Sequence, residues 1–299
     1  MKNNVFTAFG LGLVLFVFSC NEPQKKEAEE GSNTKTESQV SPESISSGGN
    51  VLKLKDRLFS IPSPVQTAIL IRKQEIPFDE NLISEFGKVD TYISKNQQAL
   101  NLGVLGSDLA YLSNYSDIKR SLECLKSVTS ISEKLDVQAN IDPSLLKRFN
   151  ENMDNVDSLN ILNAEFYRNA ERYLKANLQN EASVLILAGG WIESMHFATQ
   201  NSSNEFLKSR IAEQKSTVSN LNMLLSTFDD KLIKGLSNEF MELEKVYSEL
   251  AQSYEYKKSI TDKETKTTYI KSKSSASLTD SQLNQIKNSI SNLRNLITA

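Results

Sequence analysis

The chain has few of the residues on which most catalytic and metal sites depend. Its 299 residues include one histidine, His196, and two cysteines, Cys20 and Cys124. A histidine-based catalytic triad would have to use His196, and no pair of His or Cys residues lies at metal-binding spacing. No glycine-rich phosphate loop follows a predicted strand. The sequence therefore predicts a protein that is not an enzyme, with no cofactor and no bound metal.

The chain also lacks an excess of positive charge. It has 34 basic and 37 acidic residues, and no basic patch emerges. Because proteins neutralise nucleic-acid phosphates with clustered lysine and arginine, nucleic acid is not an expected partner. After the N-terminal region, no hydrophobic stretch is long enough to cross a bilayer.

One apolar run, at residues 5–18, follows Lys2 and precedes Ser19-Cys20. It is typical of a secretory signal and is shorter than the ~20 residues that a spanning helix needs. Val17-Phe18-Ser19-Cys20 resembles the lipobox of bacterial lipoproteins, in which the cysteine is acylated and becomes the new N-terminus, although Phe18 is unusual there. We predict a signal peptide at residues 1–19 and a lipid on Cys20. The alternatives are an ordinary signal peptide with an incidental cysteine and an uncleaved anchor.

Residues 20–50 contain the lipidated cysteine and a predicted disordered tether. The segment after Cys20 is polar, lacks aromatic residues and cannot bury enough apolar surface to offset its ordering entropy. As a flexible coil it would span ~30 Å. The charged run at residues 25–30 is similar to motifs that send some lipoproteins to the cell surface. Asn21 is not the aspartate of inner-membrane retention, so we expect the outer membrane, on either its periplasmic or its surface side.

Lipidation of Cys20 would leave only Cys124, so no intramolecular disulfide is expected. Cys124 shares helical spacing with Val128 and Ile131, which indicates a small buried hydrophobic residue rather than a nucleophile. Fold stability must therefore come from a hydrophobic core, and the chain beyond residue 50 is long enough to build one.

Residues 51–299 predict a single all-α domain, a multi-helix antiparallel bundle with short connections. We expect one helix after Ser63-Pro64, another after Asp142-Pro143, and the rest at 79–86, 88–112, 117–135, 154–176, 181–200, 204–228, 230–254 and 279–297. Before the last helix, residues 254–273 are rich in Thr, Tyr and Ile and predict a β-hairpin with a four-residue loop. A polar loop is the alternative.

Two of these helices are apolar on almost every face, which indicates burial. One contains Gly103, Gly106 and Asp108, and the other contains Gly189, Gly190 and Glu193. Glycine costs ~1 kcal/mol in a helix interior, so its presence suggests close approach of another backbone or a local break.

The two acids need buried partners. If each of these helices packs antiparallel to the next helix in the chain, Arg210 lies at about the same level as Glu193. By the same argument, Arg120 lies at about the same level as Asp108. The repeated arrangement suggests an internal duplication.

The domain also resembles a family of helical lipoproteins from Gram-negative bacteria that has no assigned activity. The likeness covers most of residues 55–299 and rests on Phe59-Ser-Ile-Pro-Ser-Pro-Val65, on residues 99–115 and on Leu185-Ile-Leu-Ala-Gly-Gly-Trp-Ile-Glu-Ser194. It implies a shared fold and carries over no catalytic residues.

The sequence thus favours a membrane-anchored structural or protein-interaction domain with an envelope protein as partner, and the hairpin is the first surface to test. The alternative is a small-molecule binding or sensing module with a pocket beside Gly189-Gly190-Trp191. The candidate lining residues for that pocket are Asp108, Tyr111, Trp191, Glu193, His196 and Arg210. Against it stands the interpretation that the acid–arginine pairs only fix helix register and that Trp191 and Tyr111 belong to the core.

Overall fold

A short antiparallel hairpin precedes the helices: β1 (Asn50–Leu54) pairs with β2 (Arg57–Ile61). The computed structural model describes residues 50–54, 57–135, 144–176, 180–262, 266–269 and 272–299. The predicted signal peptide, Cys20, the tether up to residue 49 and the predicted helix start at Asp142-Pro143 lie outside the described residues. The sequence analysis missed β1 and β2, although the alternation Leu52-Lys53-Leu54-Lys55 is typical of a strand.

The all-α bundle predicted from the sequence is confirmed. Its helices are α1 (Pro64–Lys73), α2 (Lys95–Asn114), α3 (Ile118–Lys134), α4 (Ser144–Glu151), α5 (Val156–Ala176), α6 (Asn180–Gln200), α7 (Glu205–Ala212), α8 (Lys215–Leu225), α9 (Lys231–Ser248) and α10 (Asp280–Thr298). α1 begins as expected, with Ser63 at the N-cap and a proline in its first turn. Most other boundaries lie within a few residues of the prediction.

The segment before α2 is not the short α-helix predicted at 79–86, and the helix predicted at 88–112 is present as α2 with a later start. The segment contains two 3-10 helices, Glu80–Leu82 and Phe86–Thr91. α2 starts only at Lys95, because Ser94 and Gln97 form a capping box in which each side chain binds the other residue's backbone N–H. The 3-10 segment packs on the interior of α2 and α6, where Ser84 contacts Asp108 and Glu193.

The helix predicted at 204–228 is broken in the structure. α7 ends at Ala212 and α8 begins at Lys215. Gln214, at the junction, donates from Nε2 to the carbonyl of Arg210 (3.1 Å) and accepts the Trp191 indole N–H on Oε1 (3.1 Å). These two hydrogen bonds satisfy polar groups between α7 and α8, so few polar groups are left unpaired where the helix is interrupted.

The predicted hairpin before the last helix is confirmed and is longer than expected. β3 (Ala251–Glu255) pairs with β6 (Lys273–Ser277), and β4 (Ile260–Asp262) pairs with β5 (Thr267–Tyr269). We call residues 251–277 the ribbon. The predicted last turns of the helix at 230–254 belong to β3, so α9 ends earlier than the sequence suggests.

The core centres on α2 and α6, which are buried along nearly their whole length. Tyr111 stacks on Phe197 near one end of the pair, and Gly189 meets Leu100 towards the other. Contacts thus advance along both helices in the same sense, so α2 and α6 run parallel. α3 returns antiparallel to α2, since the Cys124 thiol donates to the Leu105 carbonyl (3.2 Å). Other helices, α9 and α10 among them, complete the core around this pair.

Candidate functional site

Glycines let α2 and α6 touch backbone to backbone. A Cβ added at Gly103 would lie 2.0 Å from the carbonyl oxygen of Ile186, and one at Gly189 would lie 2.0 Å from that of Leu100. The Ser107 hydroxyl also donates across the contact to the Gly190 carbonyl (2.9 Å). The close approach that the sequence suggested for these glycines is therefore present, and it brings the acids of the two helices together.

Glu193 is fully buried and is bound by an arginine that the sequence analysis missed. Arg294, on α10, donates from Nε to Glu193 Oε2 (2.7 Å) and from Nη2 to Oε1 (2.9 Å). The same Nη2 contacts the Leu82 carbonyl and the Ser84 hydroxyl, both at 3.1 Å. This two-pronged geometry is the strong form of an arginine–carboxylate pair.

A signal for Arg294 was present in the sequence. It lies four residues after Ile290 and three before Ile297, which are both fully buried on the apolar stripe of α10. An arginine in such a stripe faces the core, so it needs a buried acid. Pairing each acid with the next helix does not predict this contact, because Arg294 lies 101 residues from Glu193.

Asp108 lies beside Glu193 rather than beside an arginine of its own. Its Oδ2 accepts weakly from the Ser84 backbone N–H (3.4 Å), and its Oδ1 receives no hydrogen bond from any described residue. Burial raises the pKa of the Asp108 carboxyl well above its usual range, and the charge of Glu193 raises it further. The raised pKa favours the protonated form of the Asp108 carboxyl, while Arg294 pairs with the Glu193 carboxylate.

The two predicted acid–arginine pairs are wrong. Arg210, which lies on α7, pairs instead with Glu213 (2.7 Å), and Glu193 is bound by Arg294. Arg120 binds Glu80 and lies near Asp117, the N-cap residue of α3. Both arginines stay partly exposed, where an ion pair avoids the cost of burial.

His196 lies one turn along α6 from Glu193 and is nearly buried. Burial lowers the pKa of its imidazole to about 4, although the nearby Glu193 carboxylate opposes this effect. Its Nδ1 has no hydrogen-bond partner among the described residues. The ring is therefore neutral at physiological pH.

Tyr111 belongs to a buried aromatic cluster. Its ring packs on Phe197 (4.5 Å between centroids), Tyr115 (4.8 Å) and Phe78 (5.6 Å). Its hydroxyl accepts from the Asp79 backbone N–H (3.2 Å). Tyr111 thus joins the segment before α2 to the α2–α6 pair.

A cleft of about 380 Å³ lies beside Trp191, where a pocket was predicted. α1, α6, α7 and the first turn of α8 form its walls. Of the six predicted lining residues, only Trp191 and Arg210 reach it, and the Trp191 ring is almost wholly covered. Asp108, Glu193, Tyr111 and His196 are absent from its walls because they face the core.

The ribbon carries several large hydrophobic side chains that are exposed. Among the described residues, eight large hydrophobic side chains are exposed, and Tyr254, Tyr256, Ile260 and Tyr269 are four of them. Ile260 and Tyr269 are direct cross-strand neighbours. The hydroxyl pairs Ser253–Ser275 (2.7 Å) and Thr261–Thr268 (3.0 Å) also link the strands. Side-chain pairs of this kind stabilise an antiparallel ladder.

The remaining chemistry of the described residues is sparse. They contain no cluster of three His, Cys, Asp or Glu side chains that could hold a metal ion. Within the same part of the chain, no helix is both long and apolar enough to span a membrane. Burial raises the pKa of the Cys124 thiol well above its usual range, which removes the thiolate that a nucleophile needs.

Comparison with known proteins adds no relative. No protein-family model, curated protein or solved structure matches this chain.

Proposed function

We propose that this chain is a lipid-anchored protein of the outer membrane whose helical domain presents the ribbon to another envelope protein. The observation that carries the proposal is the exposure of Tyr254, Tyr256, Ile260 and Tyr269 on one protruding β element. Exposed aromatics that serve no core are typical of protein-binding surfaces. The rest of the domain acts as the rigid support.

The root of the ribbon is anchored to the bundle. Lys208 on α7 pairs with Asp280 (2.9 Å) just beyond the ribbon, and Gln282 donates to the Glu249 carbonyl (3.4 Å) just before it. Ala276 and Leu278 pack against the core. A partner bound to the ribbon would therefore be held at a fixed orientation to the helices.

The charge of the ribbon favours an acidic partner. Residues 251–277 contain six lysines (257, 258, 263, 266, 271 and 273) and three acidic residues (255, 262 and 264). The ribbon sequence is therefore positively charged, whereas the whole chain has a net charge of −3. Each sheet of the ribbon has two strands, so each strand has an edge outside its ladder. An extended acidic segment could add to that edge as a further strand, with main-chain bonds supplying affinity and lysines supplying complementarity.

The proposed address rests on the N-terminal sequence. A Cys20→Ser variant should lose the lipid and leave the membrane fraction, whereas Cys124→Ser should stay in it. Release of both variants, or of neither, would contradict lipid anchoring at Cys20.

The docking role is tested by shortening the ribbon. Replacing residues 256–272 with Asn-Gly joins Glu255 to Lys273, which already face each other, through a two-residue hairpin loop. We expect the variant to unfold at the same denaturant concentration as the parent and to lose a partner that co-isolates with the parent from crosslinked envelopes. A partner retained by the shortened chain would contradict the proposal.

A second control separates charge from shape. Lys257→Glu with Lys258→Glu should weaken that same co-isolation, while Lys234→Glu with Lys245→Glu on α9 should leave it unchanged. Equal losses in both variants would show that total charge, rather than the ribbon, decides the association.

The alternative function, a small-molecule module beside Gly189-Gly190-Trp191, is favoured by the cleft at Trp191. It is compatible with ribbon docking because the two surfaces share no residue.

A further inference from the structure

A second cleft adjoins the cleft at Trp191. The second cleft has a volume of about 420 Å³, and both are lined by Gln66, Leu70 and Arg210. Each volume lies in the ~300–1,000 Å³ range of small-molecule sites. We call the two together the α1 groove, since α1 forms a wall of both.

The two halves of the α1 groove differ in chemistry. The half at Trp191 combines apolar side chains from α6 and α7 with polar side chains from α1, α6, α7 and α8. The apolar ones include Met195, Ala198, Leu207 and Ile211. Long aliphatic chains find favourable contacts on such a surface because burial removes them from water.

The other half is positively charged. Its lining includes two cationic side chains, Arg72 and Lys73, which are both exposed at the end of α1. Its only carboxylate is that of Asp157. Arg210 lies where the two halves join, and Glu213 neutralises it through their 2.7 Å contact. Arg72 is held over the Tyr115 ring (5.4 Å from the centroid). The excess positive charge in this half thus comes from two side chains at one end of a partly apolar groove.

We propose that the α1 groove binds a single-chain amphiphile with a carboxylate head, such as a fatty acid. The chain would lie in the half at Trp191, and the head would lie near Arg72 and Lys73. This site is independent of the ribbon, so its failure would leave the docking proposal intact.

Trp191 makes the test direct, because it is the only tryptophan in the protein. The probe is decanoate, titrated below its micellar concentration, with 1-decanol as the neutral probe of equal chain length. We expect a saturable change in tryptophan fluorescence with both, and an affinity for decanoate about fivefold higher, as two exposed charge contacts allow. The absence of a saturable change, or equal affinity for the two probes, would overturn the proposal.

Variants of the groove walls locate the binding. Thr67→Phe on α1 and Ser216→Phe on α8 each place a ring in the half at Trp191 from opposite sides. Either should weaken decanoate binding by more than about tenfold, since the ring occupies the volume of the chain. Thr129→Phe on α3, which lines neither cleft, should bind like the parent. Ser216 is exposed, so its variant remains informative even if Thr67→Phe fails to fold.

Charge variants locate the head group. Lys73→Gln should weaken decanoate binding by about two- to fivefold and leave decanol unchanged, while Lys245→Gln on α9 should change neither. If Lys73→Gln weakens both probes equally, or if the Phe variants bind decanoate normally, the assignment is wrong.

Discussion

Arg294 on α10 binds Glu193 on α6 through contacts of 2.7 and 2.9 Å, although the two residues lie 101 positions apart in the chain. Glu193 is fully buried, and the Arg294 side chain is 16% exposed. The pair thus fixes the C-terminal helix α10 to α6 at one level. Ser84 and Leu82 bind the same guanidinium, so the segment before α2 is tied to the same point.

Removing Arg294 alone should be costly. Arg294→Met leaves the Glu193 carboxylate buried without its cation, and we expect a loss of ~3–5 kcal/mol in the free energy of unfolding. The double variant Glu193→Met/Arg294→Met should recover most of that loss, because no buried charge remains. Urea unfolding measures both values. Lys245→Met, which breaks the exposed pair with Glu242, is the control and should cost less than about 1 kcal/mol.

Asp108 should make the protein less stable as the pH rises. Its pKa is raised in the fold, so its contribution is fully present below the unfolded pKa of about 3.9 and is lost as pH climbs through the folded pKa. Asp108→Asn cannot ionise and resembles the protonated acid. Urea unfolding of both proteins at several pH values should show the difference moving in favour of Asn as the pH increases. A difference that moves the other way would mean that Asp108 is ionised in the fold.

His196 should have the opposite effect at acidic pH. Its pKa is lowered to about 4 in the fold. The unfolded value of about 6.5 then means that stability falls between about pH 6.5 and 4, by at most about 3 kcal/mol. In His196→Gln this acid-dependent loss should be smaller than in the parent, as followed by thermal unfolding across that pH interval. An unchanged slope would show that other groups cause the loss.

The glycines at the α2–α6 contact should not tolerate a methyl group. Gly103→Ala and Gly189→Ala would each place Cβ 2.0 Å from a backbone oxygen, so the helices must separate. We expect each to cost more than about 2 kcal/mol, as overpacking does. Gly235→Ala, within α9 where the new Cβ meets nothing within 4 Å, should instead stabilise by up to about 1 kcal/mol. Equal effects at all three sites would contradict the close contact.

The sequence predicts the fold well where a helix has a regular apolar stripe or strong caps. α3 and α10 lie within a residue or so of their expected ranges, because local periodicity and capping determine those boundaries. The break at Gln214 has no proline or glycine to mark it. It depends on a hydrogen bond from Trp191, which is distant in sequence and becomes visible only in the folded chain.

The candidate site is predicted in part for the same reason. The sequence predicts that Asp108 and Glu193 are buried near glycine contacts, because the helices that carry them are apolar and contain glycines. It does not predict the residues that bind them, because the predicted arginine pairs assumed two straight helical hairpins. In the structure α2 and α6 pack in parallel on each other, so a single arginine from α10 serves the pair of acids. The suggested internal duplication finds no support in these partners.

Photo-crosslinking in living cells tests most directly whether the ribbon docks a partner. A photoreactive amino acid would replace Tyr256 or Tyr269 on the ribbon and, as the control, Met241, which is 44% exposed on α9. Docking by the ribbon predicts one discrete protein adduct that is shared by positions 256 and 269. This adduct should be absent at position 241 and reduced by Lys257→Glu/Lys258→Glu. No adduct at the ribbon positions, or the same adduct at position 241, would contradict it.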